Sequence, residues 1–374
     1  MKKIMLLPDS FKGSMSAQTF CDIAEEVVLR RLPGCQIEKY PVADGGEGSV
    51  DAFLSSLGGE RIGMCVTGPV GEAIDSFFGL LPTGEAIVEM AAAAGLPMVA
   101  DEPAPLSSNT YGVGQLMSGA LDRGVPRLIV GLGGSCTTDG GCGAAAALGV
   151  RFLSAEGEAF IPCGGTLRNI DAVDMRGVDR RLGKTEVVLM CDIDNPMYGP
   201  KGAAQVFGPQ KGAAPEDVEI LDEGLRNLAK VIRRDLGIEV ASIPGGGAAG
   251  AMGAGLHAFC RGELRPGIQV VLDTIGFEER ARTADLIVTG EGRLDGQSLG
   301  GKVVVGICRR AQTLGKPVVA IVGALESGYE AAYEQGLTAA FSTNPRPQSL
   351  EKAMELSREN LASCMDNICR LLLV

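Results

Sequence analysis

Five short apolar runs, each emptying into a turn of glycine, hydroxyl and acidic residues, constrain this chain more than any other feature. They are residues 3–7 before PDSFKGS, 127–130 before GLGGSCTTDGG, 187–190 before CDIDNP, 286–288 before TGEGRLD and 318–322 before GALESG. Short unbroken runs of Val, Ile and Leu bounded by turn residues predict buried strands, each followed by a βα loop. Strands buried on both faces belong to parallel sheets covered by helices. Helical patterns lie between them. In 16–31 the apolar residues Phe20, Ile23, Ala24, Val27 and Val28 face away from the charges, with Ser14 or Ser16 as the cap. In 216–236 the residues Val218, Leu221, Leu225, Leu228 and Ile232 form one stripe, and 349–372 reads as a terminal helix. The expected fold class is α/β, with a doubly wound parallel sheet.

Composition supports the same class. The chain has 374 residues, 45% hydrophobic but only 4% aromatic and without Trp, so its core must be aliphatic. Its 54 glycines cluster between the apolar runs, as sharp strand-to-helix turns require. Residues 62–66, 76–81 and 86–89 have a different texture, with short β-like stretches punctuated by Gly and Pro as hairpins are. This predicts a second α/β domain inserted into the first. The expected boundaries are 1–60 with 285–374 for the first domain and 61–284 for the insertion.

Several function classes drop out. A net charge of −12 argues against a nucleic-acid partner, since a phosphate backbone needs a basic face. No apolar run approaches the ~18 residues of a membrane span. In MKKIMLLPDS the apolar run stops at Pro8 and Asp9, too early for a signal peptide. Eleven cysteines without a C-x-x-C pair read as reduced, mostly buried thiols of a cytoplasmic protein. The only histidine, His257, lies in the apolar GAGLHAF, where a packed side chain is the default. One His and no paired Cys exclude most zinc sites and argue against a Ser-His-Asp triad. Acid–base work falls to Asp, Glu or Lys. GQSLGGK (296–302) is half a P-loop, but Val303 stands where the Mg²⁺-binding hydroxyl belongs. Residues 141–146 fit G-x-G-x-x-A without the acidic partner of a dinucleotide fold.

The turns that remain carry the chemistry. In 131–149 a strand enters a glycine turn bearing Gly133, Gly134, Ser135, Thr137, Thr138 and Asp139, and a small-residue helix follows. Bare N–H groups there suit an anion. Asp44 and Glu47 flank a Gly-Gly turn, Asp192, Asp194 and Asn195 end a strand, and Glu291, Arg293 and Asp295 follow another. Each cluster alone reads as a capped turn; together they offer oxygen ligands for Mg²⁺, which takes one or two carboxylates plus phosphate oxygens. Lys12, Lys201 and Lys211 each adjoin glycine, where backbone and ammonium can both approach an anion. This inventory is that of phosphoryl transfer, in which positioning and charge neutralisation do most of the catalysis.

PDSFKGSMSA (8–17), PVADGGEGS (41–49), GLGGSCTTDGG (131–141), CDIDNP (191–196), VFGPQKGA (206–213) and TGEGRLDGQSLGGK (289–302) together resemble, in order, the blocks of the type I glycerate kinases. Cys136 and Thr138 stand where that family usually has Ala and Asn, and PGGGAAGA (244–251) is slightly altered. The resemblance implies a flavodoxin-like domain plus a second α/β domain with the site in the cleft between. It implies ATP- and Mg²⁺-dependent phosphorylation of D-glycerate, mostly to 2-phosphoglycerate. On that footing the catalytic candidates are Asp192, then Asp194, as the group that orients or deprotonates the hydroxyl, with Lys12 and Arg293. The cofactor-binding set is Lys211, Gly133, Gly134, Ser135, Thr137, Asp139 and Asn195. The Gly134–Asp139 loop, with Arg293 or Lys12, is also set to hold the glycerate carboxylate. Asp44, Glu47, Glu291 and Asp295 are the metal candidates. Phosphorylation at the 3-hydroxyl, an NAD(P)-dependent oxidoreductase of a small hydroxy acid and a non-catalytic metabolite-binding protein are the alternatives, and a homodimer is left open.

Overall fold

The computed structural model describes residues 2–42, 45–296 and 303–373. The chain divides into two compact units: Met1–Asp44, Asp51–Gly58 and Pro266–Val374 form the first, and Gly45–Val50 and Gly59–Arg265 the second. Residues 266–284, which local pattern assigned to the insertion, pack with the first unit. Their helices Gly267–Thr274 and Phe277–Thr283 bury Ile268, Val271, Leu272 and Phe277 there, beside the helix Val303–Thr313.

The first unit is a five-stranded sheet in the spatial order Ala339–Ser342, Val318–Val322, Leu286–Gly290, Lys3–Pro8, Gln36–Lys39, and every pairing is parallel. Ile4 to Leu7 are fully buried, as are Ile287 and Val288, because helices cover both faces. Numbered along the chain, the unit's strands run 2-1-3-4-5, which is the flavodoxin-like arrangement. The strand order reverses between Lys3–Pro8 and Leu286–Gly290. The loops leaving those two strands, 9–16 and 291–296, therefore open at the sheet's switch point. Ser16 caps the helix Ala17–Arg31, its Oγ accepting the Thr19 N–H at 3.1 Å. The terminal helix is in two pieces, Leu350–Glu355 and Ser357–Leu371, rather than one. The first piece buries no residue, so no core contact holds it in line with the second, which buries Leu361, Met365 and Ile368.

The second unit has a six-stranded mixed sheet in the order Glu263–Arg265, Glu186–Met190, Arg127–Gly131, Ala86–Glu89, Ala73–Leu80, Glu60–Thr67. The first four are parallel, and the last two fold back as the antiparallel hairpin expected from Gly and Pro punctuation. A small antiparallel sheet of Arg151–Leu153, Ala159–Phe160 and Ala172–Asp174 flanks it. The long helix Pro215–Leu236 starts with Pro in its first turn and stops at Gly237 in the left-handed region, φ 72°. All eleven cysteines are free thiols. His257 is a packed side chain, its Nδ1 lying 2.9 Å from the Gly262 carbonyl. Among the described residues no helix is long and apolar enough to cross a membrane.

Candidate functional site

In the second unit, the strand Arg127–Gly131 pairs in register with Glu186–Met190, Gly131 opposite Met190. The glycine turn 131–139 and the acidic turn 191–195 thus leave the same end of one sheet. The segment 45–50 closes onto that end. The Gly133 N–H donates to the Gly45 carbonyl at 3.0 Å, and a Cβ on Gly133 would stand 2.6 Å from the Gly46 Cα. Glu89, 3% exposed at the end of its strand, accepts N–H groups from Gly48 at 3.2 Å and Val50 at 2.5 Å. Two of the glycine-rich blocks are therefore one backbone-tight structure, held by a buried carboxylate.

Asp139 performs the same duty inside the turn. Its carboxylate is fully buried and accepts the Thr110 N–H at 2.8 Å, the Thr110 hydroxyl at 2.7 Å, and the Gly141 and Gly143 N–H groups at 3.1 and 3.0 Å. Burial raises its pKa while these four donors oppose the rise. Three of the four donors reach Oδ2 and one, the Gly141 N–H, reaches Oδ1. Asp139 ties the start of the helix Cys142–Ala147 to Thr110. The segment 248–251 closes the turn from another side. Ala249, Gly250 and Ala251 are all left-handed, with φ of 54°, 63° and 68°. The Gly250 carbonyl accepts the Gly140 N–H at 3.0 Å, and a Cβ on Gly250 would lie 2.0 Å from the Thr137 carbonyl oxygen, so only glycine fits. Three successive residues in this region, two of them alanine, are stored backbone strain of the kind that collects at functional sites.

Lys211 is the centre of this arrangement. It ends the 3₁₀ turn Pro209–Lys211 and is 3% exposed, not the solvated loop charge that is a lysine's default. Its Nζ donates to Ser135 Oγ at 2.7 Å and to the Thr137 carbonyl at 2.6 Å. Among the described residues no carboxylate reaches it within ion-pair distance, and desolvation lowers its pKa from 10.5 to about 8. The neighbouring Thr137 and Thr138 hydroxyls are buried and have no hydrogen-bond partner. A buried ammonium with one N–H to spare, beside two hydroxyls without a protein partner, is a set of donors suited to an anion. Burial pushes the adjacent Cys136 thiol up to about 12, which rules it out as a nucleophile.

At the same sheet end Asp192 and Asp194 are exposed. Asn195 closes its own loop: its Nδ2 donates to the Lys201 carbonyl at 2.8 Å and its carbonyl accepts the Gly247 N–H at 2.9 Å. Glu47 is exposed within 45–50, and Asp44 lies outside the described residues.

The other candidates are in the first unit, at its switch point. Exposed Lys12 follows the first strand, and a Cβ on Gly292 would come within 3.8 Å of its amide nitrogen. Glu291 is 8% exposed. Arg293 Nε lies 3.2 Å from Asp295 Oδ2, and its guanidinium reaches Glu326 at 3.7 Å. Residues 297–302 of the half P-loop lie outside the described residues. Among the described residues no three His, Cys, Asp or Glu side chains gather as a metal site. A magnesium ion that takes most of its ligands from phosphate and water needs only one or two carboxylates. Glu291, buried at the crevice of a parallel sheet, fits that need, and Asp295 is already engaged by Arg293.

Glu89, Thr110 and Gly250 belong to this structure but were not among the expected site residues, and Thr138 was expected only as part of the Gly134–Asp139 loop. Glu89 carried a signal, since AIVE is another apolar run ending in an acid.

The family model of the glycerate kinase family matches residues 4–373. A glycerate kinase of Halalkalibacterium halodurans is 45% identical over 370 residues, covering 98% of this chain and 97% of that protein. The Escherichia coli glycerate 2-kinase is 38% identical, covering 100% of this chain and 98% of that one. The crystal structure of a Salmonella typhimurium LT2 protein assigned as glycerate kinase 2 superposes with a TM-score of 0.89 at 41% identity, covering 99% and 98% of the two chains. This chain belongs to the glycerate kinase family of phosphotransferases.

Proposed function

We propose that the chain transfers the terminal phosphoryl group of ATP to the 2-hydroxyl of D-glycerate, with Mg²⁺, giving 2-phosphoglycerate and ADP. The observation that carries this reading is Lys211, a buried ammonium with no carboxylate at ion-pair distance among the described residues, next to the open hydroxyls of Thr137 and Thr138. The name of the Escherichia coli relative supports the 2-position.

In this reading Lys211, with Ser135, Thr137 and the Gly133–Gly134 backbone, neutralises and orients an oxyanion of the reactants. Asp192 accepts the proton of the attacking hydroxyl, and Asp194 is second in line for that role. Lys12 and Arg293 supply further positive charge. Glu291 is the first candidate to hold Mg²⁺, with Asp295, Glu47 and Asp44 behind it. The ion, when bound, neutralises phosphate oxygens and favours in-line displacement. Asp139 and Asn195 act by fixing their loops.

The test is direct. Incubation with ATP, Mg²⁺ and D-glycerate, followed by phosphorus NMR, gives 2-phosphoglycerate and ADP. A 3-phosphoglycerate product reassigns the hydroxyl; no phosphoglycerate sinks the reading.

A further inference from the structure

The lysine that carries the proposed function has an unusual thermodynamic position. Its ammonium is buried, and its two hydrogen bonds go to neutral oxygens, Ser135 Oγ and the Thr137 carbonyl. The short helix packed beside its turn, Ala203–Phe207, contributes no charge. The ionisable groups acting on it electrostatically are Cys136 and Asp139. Cys136 is a neutral thiol at ordinary pH, and Asp139 is committed to Thr110, Gly141 and Gly143. Asp139 is thus the one full negative charge acting on Lys211 among the described residues, and none lies within ion-pair distance, where a buried ammonium calls for it.

We propose that the cradle of Lys211, Ser135, Thr137 and Thr138 is a proton-coupled oxyanion site: an entering carboxylate or phosphoryl group becomes the missing counter-ion, and the lysine takes up a proton as the anion binds. This deepens the phosphotransferase reading and rests on it. The step balances as a neutral Lys211 amine plus a proton from the buffer giving the ammonium, which then donates its remaining N–H to the anion. The two threonine hydroxyls donate alongside it and relieve their own lack of partners. An anion within hydrogen-bond distance favours the charged form, so bound and free states differ in protonation wherever the free lysine is partly neutral. With a free value of about 8, the amine is the minor form at pH 7 and the major form at pH 9.

Isothermal titration calorimetry in pairs of buffers with different ionisation enthalpies counts the protons. The probes are inorganic phosphate, D-glycerate and ATP, each titrated into the full-length protein at pH 7 and pH 9. At pH 9, where phosphate and ATP are already deprotonated, the anion that occupies the cradle binds with uptake of about 0.9 proton; at pH 7 the lysine contributes only about 0.1, on top of any proton phosphate or ATP itself exchanges. Uptake with phosphate and ATP but not glycerate identifies a phosphoryl site, and uptake with glycerate alone identifies a carboxylate site. Lys211→Met abolishes the uptake at pH 9. Lys211→Arg, whose charge does not titrate, binds without uptake at pH 9. Binding of the probes at pH 9 with no proton uptake overturns this inference and leaves the phosphotransferase reading standing. Undiminished uptake in Lys211→Met does the same, and failure of every probe to bind overturns both.

Discussion

Replacing Lys211 by methionine should stabilise the protein in neutral solution while removing its function. The fall of the lysine pKa from 10.5 to about 8 is caused first by desolvation. Each unit is worth about 1.4 kcal/mol, so burying the charge costs the folded state about 3 kcal/mol at pH 7. The sign follows from the direction. A lysine with a lowered folded pKa binds protons less well when folded, so its cost is fully present below about 8. The cost shrinks as pH rises from there toward 10.5, to about 1 kcal/mol at pH 10. Methionine is unbranched, fills similar space and carries no charge. It leaves Ser135 Oγ and the Thr137 carbonyl without a donor, a loss of about 1 kcal/mol each. The balance is a gain of about 1 kcal/mol at pH 7 and a loss of about 1 kcal/mol at pH 10. Thermal unfolding without ligand reads this as a midpoint about 1–2 °C above wild type at pH 7 and below it at pH 10. Phosphotransferase activity is lost at both. A variant destabilised equally at the two pH values would refute the reasoning, because it would mean that Lys211 is no electrostatic burden.

Three further substitutions probe the remaining parts. Asp139→Asn sets an amide donor against at least one of the N–H groups now held by the carboxylate, and urea unfolding should show a loss of about 2–4 kcal/mol; a neutral change would mean that Asp139 is not the tie of this turn. Gly250→Ala places a Cβ 2.0 Å from the Thr137 carbonyl at a φ of 63°. The turn must shift, and the KM for the anion bound at Lys211 should rise at least tenfold, with a stability loss of about 2 kcal/mol or more. Unchanged kinetics would separate the 248–251 segment from the cradle. Asp192→Asn should lower turnover by several orders of magnitude while ATP binding, measured by calorimetry, stays within a few fold of wild type. Near-normal turnover would remove Asp192 from the mechanism.

The strands were legible because a buried parallel strand is a local property: an unbroken aliphatic run that stops at glycine. The run at 318–322 is the strand Val318–Val322, and the others gained only one or two flanking residues. The hairpin Glu60–Thr67 with Ala73–Leu80 was legible from its punctuation. Pairing was not. The first strand lies between Gln36–Lys39 and Leu286–Gly290, and no local pattern says that residues near 5 and 287 are neighbours. The helix at 349–372 was overextended because periodicity does not reveal whether a face has anything to pack against. Lys201 and Lys211 make the same point at the site. Both are followed by Gly-Ala in near-identical surroundings, yet one is exposed and the other is 3% exposed. The difference is tertiary: the turn after Phe207 delivers Lys211 to Ser135 and the Thr137 carbonyl.

Acid-bearing glycine turns therefore divide their labour differently from the way their composition suggests. Around the glycine turn of the second unit, two buried acids, Glu89 and Asp139, accept backbone N–H groups and one hydroxyl. Backbone donors so engaged are withdrawn from ligand binding, and the negative charge is locked where it serves geometry. The unsatisfied groups of the same turns are donors: the spare N–H of Lys211 and the hydroxyls of Thr137 and Thr138. In a chain of net charge −12, this local excess of donors is what lets a small anion dwell against the overall field. The cost of keeping Lys211 unpaired and the strain of three left-handed residues beside it fall on one loop assembly. Selection for stability alone would remove both, the first by any apolar residue of similar length and the second by glycine. Their joint presence is intelligible if the cradle must hold an anion and then release it, which a permanently paired lysine could not do.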